Sequence, residues 1–370
     1  MTTIEQQPTH NEATEAPAID MDTLMEFVGK FVGDLGATIG AGNVLLGERL
    51  GLYRALAQQP GDARSVAAAT DTDPRYVDEW LRGQAAGGYI QYDAATATYS
   101  MTPEQAFALT DPAGPVFLPG AYELALGALK AQHHIEESFR TGAGYGWGQH
   151  DEDVFTGCER FFRPGYLMHL LTEWIPALDG VQAKLERGAS VADLGCGHGA
   201  STLLMADAFP ASRFVGSDYH TGSIESARER AEDAGVGGVD GRVRFEVASA
   251  QELEATGLDL VTTFDCLHDM GDPLAAAQHI RRSLAADGTW LIVEPAAGDT
   301  VESNLNPVGR VFYSFSTFLC VPNAISQSGG YALGAQAGEA AIRQVVTDAG
   351  FTRFRRVAET PFNNVYEARP

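Results

Sequence analysis

Between residues 21 and 58, apolar side chains recur every three or four positions in "MDTLMEFVGKFVGDLGATIGAGNVLLGERLGLYRALAQ", the period of an amphipathic helix. The stretches "ARSVAAAT" and "DPRYVDEWLRGQAAGGY" predict two more helices, the second with Asp73 as N-cap and Pro74 at its first position. "YIQYDAATATYSMT" then alternates around a turn and predicts a β-hairpin. Helices followed by a hairpin outline a winged helix, placed at residues 21–115.

From 116 to 180 the pattern is mixed. "AYELALGALKAQHHIEESF" and "ERFFRPGYLMHLLTEWIPAL" have helical spacing, and between them "GAGYGWGQHDEDVF" reads as a loop that covers a pocket. From 181 to 370 strands and helices alternate. The strand candidates are "SVADLGC", "RFVGSDY", "RVRFEVA", "LDLVTTFDCL", "TWLIVEP", "FTRFRRVAE" and "NNVYEARP". The helices between them include "ASTLLMADAF", "SIESARERAEDAG", "PLAAAQHIRRSLAADG" and "EAAIRQVVTDAG". This predicts an α/β, Rossmann-like domain around a seven-stranded, mostly parallel sheet, with ligands beyond the carboxyl ends of the strands.

The loop "VADLGCGHGAS" follows the first strand of that domain and opens a helix. Gly195, Gly197 and Gly199 would let backbone approach a ligand. Cys196 and His198 could instead suggest a metal corner, but two ligands without two more nearby make no structural zinc site. The next strand ends in "GSDYH", which places Asp218 to accept hydrogen bonds from ribose hydroxyls. The spacing is not G-x-G-x-x-G, and Asp193 before the loop would repel a pyrophosphate while attracting a sulfonium cation. S-adenosylmethionine therefore fits better than NAD.

"VADLGCGHG" with "VGSDYH" resembles the first two motifs of class I S-adenosylmethionine-dependent methyltransferases. With its winged-helix N-terminus, the chain is similar over about residues 25–370 to two-domain small-molecule O-methyltransferases, more closely to an actinobacterial group with "FDCLHDMGDP", "NLNPVGR" and "GAQAGE". The resemblance implies a general base at His268, with Asp269 beside it and Glu294 in "LIVEP" as its orienting acid. Two positions depart from the pattern. Ser249 in "FEVASAQEL" stands where the family usually has an aspartate against the adenine, and Gln336 where a second orienting glutamate is expected. The expected cofactor contacts are Asp193, Gly195, Cys196, Gly197, His198, Gly199, Asp218, Tyr219, Ser249, Ala250 and Asp265. Tyr145, Trp147, His150, Phe162, Tyr166, Phe312 and Tyr313 are the expected acceptor contacts.

A histidine at a strand exit suits removal of a hydroxyl proton, because its reference pKa is about 6.5. His268 and Asp269 also resemble the iron-binding pair of certain bacterial C-methyltransferases. The third ligand there is a histidine, and the corresponding "FYSFSTFLCVPN" offers only Cys320, so no metal is expected. The rival readings are metal-assisted C-methylation, S-adenosylmethionine chemistry without methyl transfer, and a ligand-responsive winged-helix regulator.

Charge bears on the last of these. The net charge of -24 repels phosphate backbones and anionic lipid, so neither nucleic acid nor membrane is an expected partner. The candidate recognition helix itself has Asp73, Asp78 and Glu79 against Arg75 and Arg82, which favours a packing module. Apolar stripes on the N-terminal helices exceed what one small domain buries and predict a homodimer. Residues 1–20 are polar and proline-bearing and read as a disordered tail without a leader pattern. Four scattered cysteines and no apolar run of roughly 20 residues suit a cytoplasmic protein.

Overall fold

A computed structural model of the chain describes residues 18–238 and 241–370. The expected N-terminal tail lies, up to residue 17, outside the described residues. Four helices open the chain: α1 (Met21–Arg49), α2 (Leu52–Gln58), α3 (Ala63–Thr70) and α4 (Pro74–Ala86). The long periodic run is two helices because Gly51, at φ 73, turns the backbone between them. Carboxylates of Asp20, Asp62 and Asp73 accept the first free backbone N–H groups of α1, α3 and α4. The hairpin β1 (Gln91–Asp93) and β2 (Thr98–Ser100) completes the winged helix. Val44, Tyr53, Leu56, Trp80 and Leu81 form its core.

Three further helices follow: α5 (Pro103–Leu109), α6 (Pro119–Leu129) and α7 (Gln132–Thr141). The helical run from Ala121 breaks at Lys130 and Ala131, so α6 and α7 are separate elements. Then α8 (Glu152–Gly165) passes into a π-helical stretch, Tyr166–Trp174, two positions after Pro164, which lacks the N–H that an α-helical register needs. α6 and α8 touch backbone to backbone: a Cβ on Gly157 would lie 2.2 Å from the Leu124 nitrogen. Arg49 pairs with Glu123 at 2.7 Å and Arg160 with Glu48 at 3.1 Å, which ties α1 to this bridge.

The remaining strands are β3 (Ser190–Leu194), β4 (Arg213–Asp218), β5 (Val243–Val247), β6 (Leu258–Phe264), β7 (Leu284–Pro295), β8 (Arg353–Glu359) and β9 (Asn363–Arg369). They form one sheet in the order β5-β4-β3-β6-β7-β9-β8. The first five run parallel, while β9 is antiparallel to both β7 and β8. One predicted helix is shorter than its periodicity suggests. It ends at Ser283, because Leu284 already pairs with Leu258 and starts β7. The strand order reverses at β3, with β4 on one side and β6 on the other, so a crevice opens at their carboxyl ends.

Candidate active site

The crevice is a cavity walled by three loops of the sheet, by α8 and by the helix Cys320–Ser326. From β3 come Gly195, Cys196, Gly197 and His198; from β4, Asp218 and Tyr219; beyond β5, Ala248, Ser249, Ala250 and Gln251. Gly197, at φ 52, has no atom within 4 Å of where a Cβ would stand, so this bare backbone forms a cradle that a side chain would fill. Asp218 closes the cradle: Oδ2 accepts from the Gly197 nitrogen at 3.0 Å and Oδ1 from the His220 nitrogen at 2.9 Å. Burial raises its pKa, against those two backbone bonds that lower it.

Two expected cofactor contacts lie elsewhere. Asp193 is 1% exposed and off the wall. Its carboxylate accepts hydroxyls from Thr202 at 2.6 Å, Ser201 at 2.7 Å and Thr262 at 2.8 Å, so it anchors the loop from beneath and does not face a sulfonium. Strand alternation points that side chain into the sheet's flank. Gly199 is also behind the wall, where a Cβ would stand 2.6 Å from the Phe245 ring. Its role is close packing of helix on strand.

The wall is nevertheless lined by carboxyl groups. Glu159, Asp218, Asp265 and Asp269 are on it, and among the described residues no lysine or arginine is. Glu159 is held at about 2: burial opposes its charge, but His198 and Arg230 outweigh that. This donor set and the open glycine cradle fit a cationic nucleoside such as S-adenosylmethionine and disfavour a pyrophosphate.

At the exit of β6, Asp265, Cys266, Asp269 and Met270 line the same cavity. His268 does not. It is 3% exposed, with Nδ1 2.8 Å from Glu294 Oε2 and Nε2 3.3 Å from Cys320 Sγ. The other oxygen of Glu294 accepts from the Leu267 nitrogen at 3.0 Å, so the acid at the end of β7 sets both the loop and the ring. Burial disfavours the imidazolium, yet Glu294 and Cys320 outweigh it and hold the His268 pKa well above the ordinary histidine range. Asp269 is pushed up to about 7 by burial first, with Glu294 and Asp218 adding to it against the pull of His268.

Of the expected acceptor contacts, Trp147, Phe162 and Tyr166 are on the cavity wall. The other four are not. Tyr145 stacks on His134 and donates to the Gln149 carbonyl at 2.6 Å. His150 is buried, and burial lowers its pKa to about 4, so it packs as a neutral ring. Phe312 fills the apolar core between helices, and Tyr313 lines a separate cavity with Phe139, Val321 and Leu333. The loop and helix that carry them turn these faces away from the crevice.

Sequence reasoning missed Phe155, Cys158, Glu159, Asn323 and Gln327, which are all on the wall. Phe155, Cys158, Glu159 and Phe162 share one face of α8, a periodicity visible in the sequence. Asn323 was signalled only by its polarity inside an apolar run. It is 2% exposed and accepts from Tyr219 Oη at 2.9 Å and the Trp147 nitrogen at 3.0 Å, which pins the 143–150 loop to the rim. Among the described residues, no three His, Cys, Asp or Glu side chains are grouped to hold a metal ion.

Comparison with known proteins agrees with this geometry. Residues 185–328 match a family described as a methyltransferase domain, and residues 41–111 match an Rv2258c-like winged HTH domain. The chain carries a methyltransferase domain and is an S-adenosylmethionine-dependent methyltransferase. It is similar to O-demethylpuromycin-O-methyltransferase of Streptomyces alboniger, 27% identical over 337 residues, covering 88% of this chain and 84% of that one. The fold of this methyltransferase is also that of mitomycin 7-O-methyltransferase (TM-score 0.66, 19% identity, 94% of this chain and 100% of the other). Human N-acetylserotonin methyltransferase, solved with S-adenosylmethionine, superposes with a TM-score of 0.67 at 15% identity over 96% and 99% of the two chains.

Proposed function

We propose that this methyltransferase moves a methyl group to a hydroxyl of a small, partly aromatic molecule, with His268 and Glu294 taking up the proton. The observation that carries this reading is the buried His268–Glu294 pair at 2.8 Å beside the carboxyl-lined cavity. Glu294 engages Nδ1, so Nε2 is the ring nitrogen left to exchange a proton. The glycine cradle and Asp218 would hold S-adenosylmethionine, which would supply a methyl carbon on a positive sulfur. Trp147, Phe155, Phe162, Tyr166 and Met270 give the acceptor side an apolar wall that excludes water and aligns an aromatic ring. Asp269 is on the same cavity wall. The similarity to an enzyme named for O-demethylpuromycin supports a hydroxyl as the acceptor and a place in secondary metabolism.

The test is direct: incubate the protein with S-adenosylmethionine carrying a labelled methyl and a panel of phenols that includes O-demethylpuromycin. Labelled O-methyl product and an equal amount of S-adenosylhomocysteine are expected. Label on carbon, or S-adenosylhomocysteine without methylated product, would overturn the reading.

The same reading takes the winged helix as a dimerisation module in a cytoplasmic homodimer. Met25, Phe27, Phe31, Val32, Leu35 and Ile39 are each half or more exposed along α1, more apolar surface than a lone copy leaves in water. Arg75 and Arg82 on α4 are paired with Glu79 and Asp78, at 2.7 and 3.0 Å, which leaves that helix little charge for phosphate. Among the described residues no helix is long and apolar enough to cross a membrane. Light scattering is expected to give twice the chain mass, falling to one in Phe31→Asp. A wild-type monomer would count against the dimer.

A further inference from the structure

Asn323 is 2% exposed, stands on the cavity wall, and joins through its amide three segments that are far apart in sequence. Oδ1 accepts from Tyr219 Oη at 2.9 Å and from the Trp147 nitrogen at 3.0 Å, and Nδ2 donates to the Asp269 carbonyl at 3.2 Å. Tyr219 follows Asp218 at the exit of β4, Trp147 belongs to the 143–150 loop, and Asp269 to the exit of β6. One oxygen therefore touches both the side proposed for the nucleoside and the side proposed for the acceptor.

The helix that carries Asn323 holds the loop in two further places. The Tyr145 nitrogen donates to the Pro322 carbonyl at 2.9 Å, and a Cβ on Gly144 would stand 2.1 Å from the Ser326 nitrogen. Gln327 Nε2 donates to the carbonyls of Asp269 and Asn323, both at 3.2 Å, which fixes this turn of helix against the β6 exit. The loop backbone is thus seated on the helix, with Trp147 on the cavity wall. Tyr219 is the freer partner, 45% exposed. A nucleoside on Asp218 takes the Tyr219 ring out of water, and a hydrogen bond in drier surroundings is stronger.

We propose that Asn323 is a positioning residue that makes acceptor binding depend on bound cofactor. Cofactor covering Tyr219 firms the Tyr219–Asn323 bond, the shared oxygen holds the Trp147 N–H, and the 143–150 loop becomes a finished wall for the acceptor. Binding is then ordered in favour of cofactor first, and by linkage each ligand raises the affinity of the other by the same factor. Asn323 acts through Tyr219 and Trp147, and the proton stays with His268 and Glu294. The meaning of this order for catalysis rests on the O-methyl transfer proposed above.

Hydrogen–deuterium exchange of the full-length protein reads the coupling without any acceptor, because the Trp147 amide is itself a donor to Asn323. Saturating S-adenosylhomocysteine is expected to slow exchange in the 143–150 segment of wild type by roughly 5-fold or more, the low end of coupling between two sites. Tyr219→Phe removes only a hydroxyl, and an unchanged melting temperature will show that it folds. At saturating S-adenosylhomocysteine, checked by calorimetry, this variant and Asn323→Leu should both lose the slowing. Wild-type exchange that ignores S-adenosylhomocysteine would overturn the proposal. So would slowing that survives in Tyr219→Phe, which would assign the link to the His220 ring, stacked on Phe155 at 4.2 Å. With saturating S-adenosylmethionine and O-demethylpuromycin as acceptor, Tyr219→Phe should raise the acceptor KM by roughly 2–10-fold, the worth of one hydrogen bond, and by more than it lowers kcat. A loss confined to kcat would count against Asn323 in this role. If wild type forms no O-methyl product, the O-methyl reading fails, and the exchange measurement still decides the coupling.

Discussion

The two halves of the cavity are built in different ways. The half proposed for the nucleoside comes from short consecutive runs at the ends of β3, β4 and β5, and it is built of backbone: the bare Gly197, the N–H groups around Asp218, the turn after Val247. The half proposed for the acceptor is gathered from α8, the 265–270 loop and the helix Cys320–Ser326, and it is built of side chains. A backbone cradle needs only a strand, a glycine loop and a helix. A side-chain wall needs three segments, far apart in sequence, to pack correctly. The first is common to many proteins of one fold, and the second is particular to this chain.

The sharpest way to separate the halves is His268→Ala. It should lower kcat by roughly 10²–10⁴-fold, as loss of a base does, with the Kd for S-adenosylhomocysteine nearly unchanged in calorimetry. A parallel loss of cofactor affinity would mean that the two halves are one unit. Asp218→Asn should act in the opposite sense, weakening S-adenosylhomocysteine by roughly 10-fold, since bonds to a charged group are worth about 1.5–3 kcal/mol. Saturating cofactor should then restore most of kcat. If it does not, Asp218 also shapes the acceptor side.

The smallest effect is expected at the seam, with Asp269→Asn. In the folded protein Asp269 holds its proton up to about 7, whereas its ordinary value is 3.8. Between those values the native state binds more protons than the unfolded one, so stability falls as pH rises through that window and then levels off. Asparagine has no such slope. The melting temperature of the variant relative to wild type should rise from pH 4 to 7. A constant difference would show that Asp269 ionises normally and that the seam is wetter than its burial implies.

Legibility in the sequence followed the same division. The alternation of strands and helices, the glycine loop, Asp218 and the winged helix were readable because each is a local pattern: a period, a turn residue, an acid at a strand end. His268 and Glu294 were readable as strand-exit residues, and the structure places them 2.8 Å apart. What failed was direction. Asp193 was assigned to the ligand but serves three hydroxyls inside the domain. Tyr145, His150 and Phe312 were chosen for aromatic character in the right segments, yet they face other helices. Composition says that an aromatic residue is near, and only packing says which way it turns.

By itself, then, the sequence determined the class of fold, the cradle and its cation, because hydrophobic period and glycine placement act over a few residues. Tertiary structure alone decided the cavity's other wall. Nothing within "FYSFSTFLCVPN" indicates that Cys320 meets the Nε2 of His268, a residue 52 positions earlier, or that Asn323 fastens Tyr219. Contacts of that range depend on how helices settle on the sheet. That settling is governed by total buried surface and shape, quantities that belong to the whole chain and to no single stretch of it.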